Sequence, residues 1–397
     1  MMSTNQENPL FLDLACSQCC KHGEKICGDA FKFEKSDNDG RVVAVLSDGL
    51  GSGVKANILA SMTATMALKF AAVPNYSILH AAEIMMSALP ICQVRKISYA
   101  TFTILNAWPD CSIRMVEMGN PSFLLFRHGK QLEIPFEKME STHWNNRKMK
   151  IYHFLAQSED RIIFFSDGIS QAAIGSQQWP LGWREQGCAD FVAGILQETP
   201  QISSHELCSS ILKEARAKEP QHRNKDDMTC ASLYFRHPRK MLIFTGPPYD
   251  RKHDAECAKI IAEFDGKTAI CGGTSAEIIA RELNRELKVN LETISSEMPP
   301  MSSIEGIDLV TEGIFTLTKT AGYLEKAESF PHYNPAGILA EMMRRNDLIY
   351  FLVGTRINEA HQDPNLPLEL ELRRNIVQRI AGILKSNFLK KVDIKYV

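Results

Sequence analysis

The order of predicted strands and helices changes at His237-Pro238, and this change constrains the fold more than any other feature of the 397-residue sequence. Before it, strand-rich and helix-rich blocks follow one another, which is typical of an α+β domain in which helices cover antiparallel sheets. After it, single strands alternate with single helices, which predicts a smaller α/β domain with a mostly parallel sheet. We therefore expect two domains, residues 1–238 and residues 239–397.

Charge and hydropathy exclude several classes of protein. Lys and Arg total 45 against 47 for Asp and Glu, so the net charge of −2 argues against a nucleic-acid partner. No apolar stretch approaches the roughly 18 residues that a membrane span needs. Residues 1–10 lack the basic residues and the apolar core of a signal peptide. The odd number of cysteines, 11, fits a reducing compartment, so we expect a cytoplasmic protein without a membrane partner.

Four short acidic motifs each border a predicted strand. They are Cys27-Gly28-Asp29, Ser47-Asp48-Gly49-Leu50-Gly51-Ser52-Gly53, Ser166-Asp167-Gly168 and Asp226-Asp227-Met228-Thr229. Carboxylates that converge at strand ends without Lys or Arg between them repel one another unless a cation lies among them. Oxygen ligands alone select hard ions such as Mg²⁺ or Mn²⁺. One such motif is most often only a turn, but four in one predicted domain indicate a metal site.

The order of these motifs resembles the metal-dependent PP2C-type Ser/Thr protein phosphatases, in particular their bacterial branch that includes stage II sporulation protein E. The resemblance covers about residues 10–237. It implies an α/β-β/α sandwich, in which helices cover two antiparallel sheets. It also implies two divalent ions, Mn²⁺ or Mg²⁺, and direct hydrolysis of phosphoserine or phosphothreonine on a regulatory protein by a water that bridges the ions.

The resemblance assigns roles to individual residues. Asp48 is expected to bridge both ions, and Asp29 and the Gly49 carbonyl to complete one metal site. Asp167 and Asp226 are expected to hold the other ion. The expected catalytic residues are the four aspartates Asp29, Asp48, Asp167 and Asp226.

Other roles stay open at the level of sequence. Asp227 is expected either as a further metal ligand or as a neighbour that orients one. Leu50 stands where the eukaryotic enzymes have His, so no general acid is identified. An arginine that clamps the phosphate has no clear counterpart, and Lys21, Lys25 and His22 are the candidates near the start of the domain.

Two predicted helices follow Gly53, over Val54–Phe70 and Ser77–Leu89. In the bacterial branch that the motifs resemble, this helical pair shifts to complete or break the metal site, often through dimerisation. The resemblance therefore implies a regulatory switch and a homodimer through residues 54–89. The alternative is a plain pair of covering helices with an apolar face.

Cys16, Cys19, Cys20 and Cys27 lie within twelve residues of one another. Their spacing is similar to that of a soft-metal site, and zinc binding or redox sensing are open alternatives. However, the predicted first strand over Asp13–Ser17 would send alternate side chains to opposite faces, which makes convergence awkward. Ordinary buried or partly exposed thiols are the simpler interpretation.

A glycine pair links a strand to a helix in the second predicted domain, within Ile270-Cys271-Gly272-Gly273-Thr274-Ser275. Backbone amides at a helix N-terminus can bind phosphate or a carboxylate, so Gly272, Gly273, Thr274 and Ser275 form a weak candidate ligand site. The alternative is a tight turn in which Thr274 or Ser275 caps the helix.

These patterns lead to one function hypothesis and two alternatives. The first is a metal-dependent protein Ser/Thr phosphatase with a C-terminal α/β regulatory or ligand-binding domain. The second is a catalytically silent PP2C-fold binding module that signals through the C-terminal domain. The third, a variant of the first, is control of the phosphatase by a nucleotide bound at the Gly272 loop.

Overall fold

The structure is a computed structural model, and it describes residues 10–36, 40–72, 80, 83–85, 100–140, 148–290, 300–326, 330–331, 333–356 and 366–397. The chain divides into two compact units, Met1–His237 and Pro238–Val397. The first unit contains antiparallel sheets and the second a mostly parallel sheet, so the predicted fold class is confirmed.

Two antiparallel sheets, together with the helices that cover them, make up most of the described part of the first unit. The strands are β1 Phe11–Cys19, β2 Asp29–Lys35, β3 Val42–Gly49, β4 Ala100–Ala107, β5 Ser112–Met118, β6 Leu124–Arg127, β7 Lys130–Leu132, β8 Glu137–Glu140, β9 Lys148–Leu155, β10 Arg161–Phe165 and β11 Met228–Arg236. The helices are α1 Gly53–Ala72, α2 Asp167–Ser170, α3 Arg184–Glu198 and α4 Ser204–Lys218. One sheet has the order β2-β3-β4-β5-β9-β8 and the other β1-β11-β10-β6-β7.

Helices cover the outer faces of these two sheets. Ala56, Ala60 and Ala64 of α1 are fully buried, and Ala60 and Ala64 belong to the core of the six-stranded sheet. Their spacing of four residues places them on one face of the helix, and their small size allows close packing. Helices α3 and α4 pack on the five-stranded sheet. The inner faces of the sheets meet where the rings of Phe31 and Phe164 have centroids 6.2 Å apart.

The sequence over Tyr99–Ile134 predicts four strands in one antiparallel meander. The four strands are confirmed as β4 to β7, but the single meander is wrong. Strand β5 pairs with β9 in one sheet, whereas β6 pairs with β10 in the other. The chain crosses between the sheets at Gly119-Asn120-Pro121, where Gly119 has a φ of 81°. Proline has no N–H for a ladder hydrogen bond, so the segment cannot continue as a hairpin strand. The predicted helix Ser77–Leu89 lies largely outside the described residues.

The second unit is built on one seven-stranded sheet. Its strands are β12 Lys240–Thr245, β13 Lys267–Cys271, β14 Lys288–Asn290, β15 Met301–Ser303, β16 Leu309–Thr311, β17 Leu348–Val353 and β18 Lys391–Tyr396. Its helices are α5 Asp254–Ala262, α6 Gly273–Glu282, α7 Ile314–Lys326, α8 Pro335–Arg345 and α9 Leu366–Phe388. The order is β14-β15-β16-β13-β12-β17-β18, and only the short strands β14 and β15 pair in the antiparallel sense.

The parallel strands form a doubly wound sheet. Helices α5 and α6 pack on one face, and α7, α8 and α9 on the other. The chain runs from β12 through β13 to β16 in one direction, and then continues from β17 to β18 on the other side of β12. The order therefore reverses between β12 and β17, and ligands of such sheets bind at the carboxyl ends of the strands near this point.

Four elements of the second unit have no counterpart among the sequence predictions: β14, β15, α8 and β18. Helix α8 begins with Asn334 and Pro335, and the Asn334 side chain accepts a hydrogen bond of 2.8 Å from the Gly337 N–H. An N-capping Asn followed by Pro is a usable start signal for a helix. Across the described residues, no helix is both long and apolar enough to cross a membrane.

Candidate metal centre

Four of the predicted aspartates lie at the ends of strands that meet at one edge of the first unit. Asp29 begins β2 and Asp48 lies near the end of β3, and the strand register pairs the two residues directly. Asp167 follows β10 as the first residue of α2, and Asp226 lies two residues before β11. Because β10 and β11 are antiparallel, the end of one lies beside the start of the other.

A hydrogen bond from Thr229 joins the two sheets at this edge. The Thr229 hydroxyl donates to Oδ2 of Asp29 over 2.6 Å. The side-chain amide of Gln18, from β1, donates to the Asp29 carbonyl over 3.1 Å and to the Thr229 hydroxyl over 3.0 Å. The Ser166 hydroxyl also hydrogen-bonds to Asp29 and accepts from the Thr229 N–H over 3.0 Å. The edges of the two sheets are therefore held together around the Asp29 carboxylate.

The charge of Asp48 is opposed by its surroundings. Burial raises the pKa of Asp48 well above its ordinary value, and repulsion from Asp29, Asp167 and Asp226 raises it further. Asp48 also hydrogen-bonds to Asp167, which raises the pKa of Asp48. Asp48 therefore lies opposite Asp29 in the strand register and within hydrogen-bonding reach of Asp167, so these carboxylates share one edge of the unit.

The other three aspartates are perturbed in the same direction. Burial raises the pKa of Asp29 to about 7, although the hydrogen bonds from Thr229 and Ser166 oppose the shift. Burial also raises the pKa of Asp167, against hydrogen bonds that include one of 2.9 Å from the Gln171 amide. Burial likewise raises the pKa of Asp226. Because the pKa values of all these carboxyl groups are raised, the cluster lacks the positive charge that would stabilise their ionised forms.

Two glycines let the chain approach itself closely around the aspartates. A Cβ on Gly49 would overlap the backbone oxygen of Ala56 in α1. A Cβ on Gly168 would overlap the backbone oxygen of Asp227. No other residue fits at these positions without displacing the first turns of α1 or the start of β11.

Asp227 adjoins this set, because its charge raises the pKa values of Asp29 and Asp226, and it also faces two cysteines. A carboxylate oxygen of Asp227 and the sulfurs of Cys20 and Cys27 all lie within 4.8 Å of one another. Oδ1 of Asp227 accepts a 2.9 Å hydrogen bond from the backbone N–H of Lys21. Oδ2 is buried and has no hydrogen-bond partner within the described part of the chain. Among the described residues, the other aspartates do not form a group of three with equally close oxygens.

The cysteine cluster of the sequence therefore separates into two parts. Cys16 lies in β1 next to Cys230, and burial raises the pKa of its thiol. Cys20 and Cys27 follow the end of β1 at Cys19, so the alternation of strand side chains does not apply to them. Burial raises the pKa of the Cys27 thiol, and repulsion from Asp227 adds to the shift.

Of the three candidates for binding the phosphate, Lys21 lies nearest to the aspartates. Its charge lowers the pKa of Asp226, against the larger effect of burial. His22 and Lys25 are exposed, and the His22 N–H donates to the Asn224 carbonyl over 3.1 Å. Leu50 is half-buried beside Gly49.

The weak ligand site predicted over residues 272–275 lies in the second unit, separate in sequence from the aspartates. Gly272 follows β13 and Gly273 begins α6. All four residues line a cavity of about 470 Å³. Gly272 is the N-cap residue of α6, so neither Thr274 nor Ser275, the predicted alternatives, occupies the N-cap position.

The donor set at the sheet edge fits hard divalent cations. It consists of carboxylate oxygens, and within the described ranges no Lys or Arg forms an ion pair with any of these aspartates. Positive charge from Mn²⁺ or Mg²⁺ would remove the repulsion that raises their pKa values. Thr229 and Ser166, which position Asp29, have no role in the sequence prediction, although both belong to the motifs that revealed the site.

Comparison with known proteins places the chain in a family. Residues 38–236, half of the chain, match the family model of Stage II sporulation protein E (SpoIIE). No curated protein sequence matches the chain.

Solved structures similar to the chain include three bacterial phosphatase or regulator structures. The PP2C phosphatase domain of SpoIIE from Bacillus subtilis, with a fragment of its regulatory domain, is 16% identical over 57% of this chain and 63% of that one, with a TM-score of 0.47. The RsbU and RsbW domains of a Mycobacterium tuberculosis protein are 21% identical over 64% and 68%, with a TM-score of 0.48. The serine/threonine phosphatase of S. agalactiae is 13% identical over 56% and 99%, with a TM-score of 0.41.

The chain thus spans less than two thirds of the first of these structures. The match to the family model agrees with the antiparallel sandwich of the first unit and with the aspartates at its edge. The protein belongs to the SpoIIE family, with a SpoIIE-like PP2C domain followed by an additional C-terminal α/β domain.

Proposed function

We propose that the first unit is a metal-dependent protein phosphatase that hydrolyses phosphoserine or phosphothreonine on a regulatory protein. The observation that carries the proposal is the convergence of Asp29, Asp48, Asp167 and Asp226, all with raised pKa values. A folded chain tolerates such a cluster when bound cations offset the repulsion. Membership of the SpoIIE family supports the same reading.

The residues present divide into two ligand groups around Asp48. Asp48 would be shared by two divalent ions, Mn²⁺ or Mg²⁺, with Asp29 and the Gly49 carbonyl on one ion. Asp167 and Asp226 would hold the other. When bound, the ions supply positive charge at the phosphoryl oxygens and make water a better nucleophile at neutral pH.

The protein's own contribution is to hold these oxygens in place. The hydroxyls of Thr229 and Ser166 fix the Asp29 carboxylate. The Gln171 amide fixes Asp167 over 2.9 Å. The backbone N–H of Asp227 donates to Oδ1 of Asp226 over 2.9 Å. Hydrogen bonds of this kind set the direction of a metal ligand and influence its affinity for the ion.

Asp227 is proposed to orient the site. Its Oδ1 holds the backbone of Lys21, and its carboxylate faces Cys20 and Cys27. Its backbone N–H holds Asp226. These contacts support the orienting role over that of a direct ligand of the two ions.

A cavity beside the aspartates is a candidate contact surface for the protein substrate. It has a volume of about 640 Å³, and its lining includes Gln171, which holds Asp167. Leu181 and Phe136, also in the lining, are 68% and 49% exposed. Exposed apolar side chains around a concave surface are typical of a site that binds another protein.

Helix α1 is proposed to mediate a homodimer. Val54, Ile58 and Met62 are 57%, 52% and 58% exposed, and their spacing of four residues places them on one face. The opposite face carries Ala56, Ala60 and Ala64, which are fully buried, and Ala56 approaches Gly49 closely. Substitution of Ile58 by Lys should convert a dimer to a monomer in sedimentation velocity. Monomeric wild-type protein at all concentrations would contradict the proposal.

The phosphatase proposal is tested by hydrolysis of p-nitrophenyl phosphate and of a phosphoserine peptide. We expect turnover with Mn²⁺ or Mg²⁺ and none with EDTA. Absence of turnover at every metal concentration, in protein that folds normally, would favour the catalytically silent binding module. Binding of Mn²⁺ followed by calorimetry separates a site that holds metal without catalysis from one that holds none.

A further inference from the structure

The cavity at the start of α6 lies where doubly wound sheets bind ligands. Its floor is formed at the carboxyl ends of β12 and β13, where Thr245 and Cys271 are the last strand residues. The strand order reverses between β12 and β17, directly beside it. Its volume of about 470 Å³ falls within the range of small-molecule sites, roughly 300–1,000 Å³.

The N-terminus of α6 faces this cavity, and its first turn carries no acidic residue. The helix has ten residues, and its N-cap residue Gly272 has no side chain that could accept from the first amides. The neighbouring helix α7 differs, because Oε2 of Glu312 accepts a hydrogen bond of 3.3 Å from the Thr316 N–H. An uncapped helix N-terminus carries partial positive charge and exposed N–H donors.

Two buried hydroxyls in the cavity lining provide an independent observation. Ser275 and Thr245 are each 1% exposed, and neither hydroxyl has a hydrogen-bond partner among the described residues. The Ser275 hydroxyl is 3.3 Å from the point where a Cβ on Gly272 would lie, so it faces the open end of the helix. Buried hydroxyls without partners are unfavourable, and a polar ligand would satisfy both.

Arg373 adds a full positive charge to the lining. Its Nη1 donates to the Gly354 carbonyl over 3.4 Å, at the end of β17. A Cβ on Gly273 would meet nothing within 4 Å, so a ligand has room directly above the first residue of α6. Amides, hydroxyls and a guanidinium together recognise phosphate oxygens.

The rest of the lining restricts the body of the ligand. The carboxylate of Glu312 also lines the cavity, and it can accept hydrogen bonds from ligand hydroxyls but would repel a second anionic group. Phe315 and Leu372 are 46% and 43% exposed at its rim, where they offer an apolar surface for a planar ring. A phosphate, hydroxyls and a planar ring occur together in a mononucleotide.

We propose that the C-terminal unit binds a mononucleotide, with its phosphate at the N-terminus of α6 between Ser275, Thr245 and Arg373. The phosphatase proposal is not needed for this inference, because binding is measured without turnover.

The test uses the full-length protein in EDTA, so that phosphate cannot bind through metal ions at the aspartates. Calorimetric titrations are made with AMP, GMP, ribose 5-phosphate, adenosine and inorganic phosphate. We expect saturable binding of at least one mononucleotide, with weaker binding of its parts. Absence of binding by AMP and GMP at millimolar concentration would overturn the proposal, as would equal affinity for inorganic phosphate and the nucleotides.

Variants locate the site. Thr245→Val and Ser275→Ala should each weaken nucleotide binding about tenfold, because each removes one hydrogen bond to the ligand. Thr316→Val is the matched control: its hydroxyl is also buried and without a partner among the described residues, but it does not line the cavity. Unchanged affinity in both Thr245→Val and Ser275→Ala would overturn the proposal, and so would an equal loss in Thr316→Val.

Discussion

The two candidate sites differ in the polar groups that each brings together. The first unit gathers aspartates whose pKa values are all raised, with Asp29 at about 7. The second unit places the N-terminus of α6, Arg373, Glu312 and two buried hydroxyls around one cavity, and these hydroxyls have no partner among the described residues. In both units, polar groups that the fold does not satisfy indicate a candidate binding site. The charge of these groups indicates the charge of the ligand, which is a cation at the aspartates and an anion at α6.

The largest effect is expected from Asp48, which interacts with all three other aspartates. Asp48→Asn should lower the rate of p-nitrophenyl phosphate hydrolysis with Mn²⁺ by roughly a thousandfold or more, because a shared ligand serves both ions. Thr316→Val, in the other unit, should leave the rate unchanged. A near-normal rate for Asp48→Asn would show that the repulsion seen in this cluster has no part in catalysis.

A smaller decrease in hydrolysis rate is expected from variants of Asp226 and Asp227, the two neighbouring aspartates before β11, and its size should differ between them. Asp226→Asn should lower the rate roughly a hundredfold as a lost ligand, whereas Asp227→Asn should cost roughly tenfold as a lost orienting contact. The measurement is the rate as a function of Mn²⁺ concentration, since loss of either contact also weakens metal binding. The reverse order of losses would exchange the two roles.

The charge imbalance in the first unit also predicts how stability depends on pH without metal. The pKa of Asp29 is about 7 in the folded protein and about 3.9 in an unfolded chain. Between these values the unfolded state releases its proton while the folded state retains it, so the unfolding free energy falls as pH rises from about 4 to 7. Each unit of pKa difference corresponds to about 1.4 kcal/mol.

Urea denaturation in EDTA at pH 5 and pH 7 tests this sign. Glu117, whose pKa burial also raises to about 7, contributes in the same direction. The difference between wild type and Asp29→Asn therefore isolates the aspartate. Mn²⁺ should reverse the loss at pH 7, by about 2.7 kcal/mol at 100 times its dissociation constant. Equal pH dependence in wild type and Asp29→Asn would contradict the prediction.

The sequence predicts the components of the first site better than their arrangement. The acidic motifs and the buried run Val42–Leu46 identify strand ends that carry carboxylates. The bond from Thr229 to Asp29 spans 200 residues, and no local pattern encodes which strands become neighbours. The sequence also fails to predict the crossing between the two sheets at Pro121, because a crossover and a hairpin turn use similar residues.

The candidate ligand site at the start of α6 shows the opposite limit of prediction from sequence. The glycine pair before α6 is visible in the sequence, but its interpretation as a plain turn or a ligand site depends on two facts that only the fold supplies. These are the absence of a side-chain cap among the described residues and the burial of the Thr245 and Ser275 hydroxyls without partners there. Thr245 lies 30 positions from Ser275 in the sequence and reaches the same cavity through the pairing of β12 with β13.

The smallest expected effect compares two buried serines in the first turns of helices, one in each unit. The Ser204 hydroxyl donates to the Asp13 carbonyl over 2.6 Å, whereas the Ser275 hydroxyl has no partner among the described residues. Ser204→Ala should lower the unfolding free energy by about 1–2 kcal/mol, and Ser275→Ala by less than about 0.5 kcal/mol. All four tryptophans precede residue 238, so fluorescence reports on the first unit and far-ultraviolet circular dichroism on both. An equal decrease in unfolding free energy in the two variants would mean that the Ser275 hydroxyl already has a hydrogen-bond partner within the protein. Ser275 would then no longer support a ligand in the cavity at α6, and only the Thr245 hydroxyl would remain.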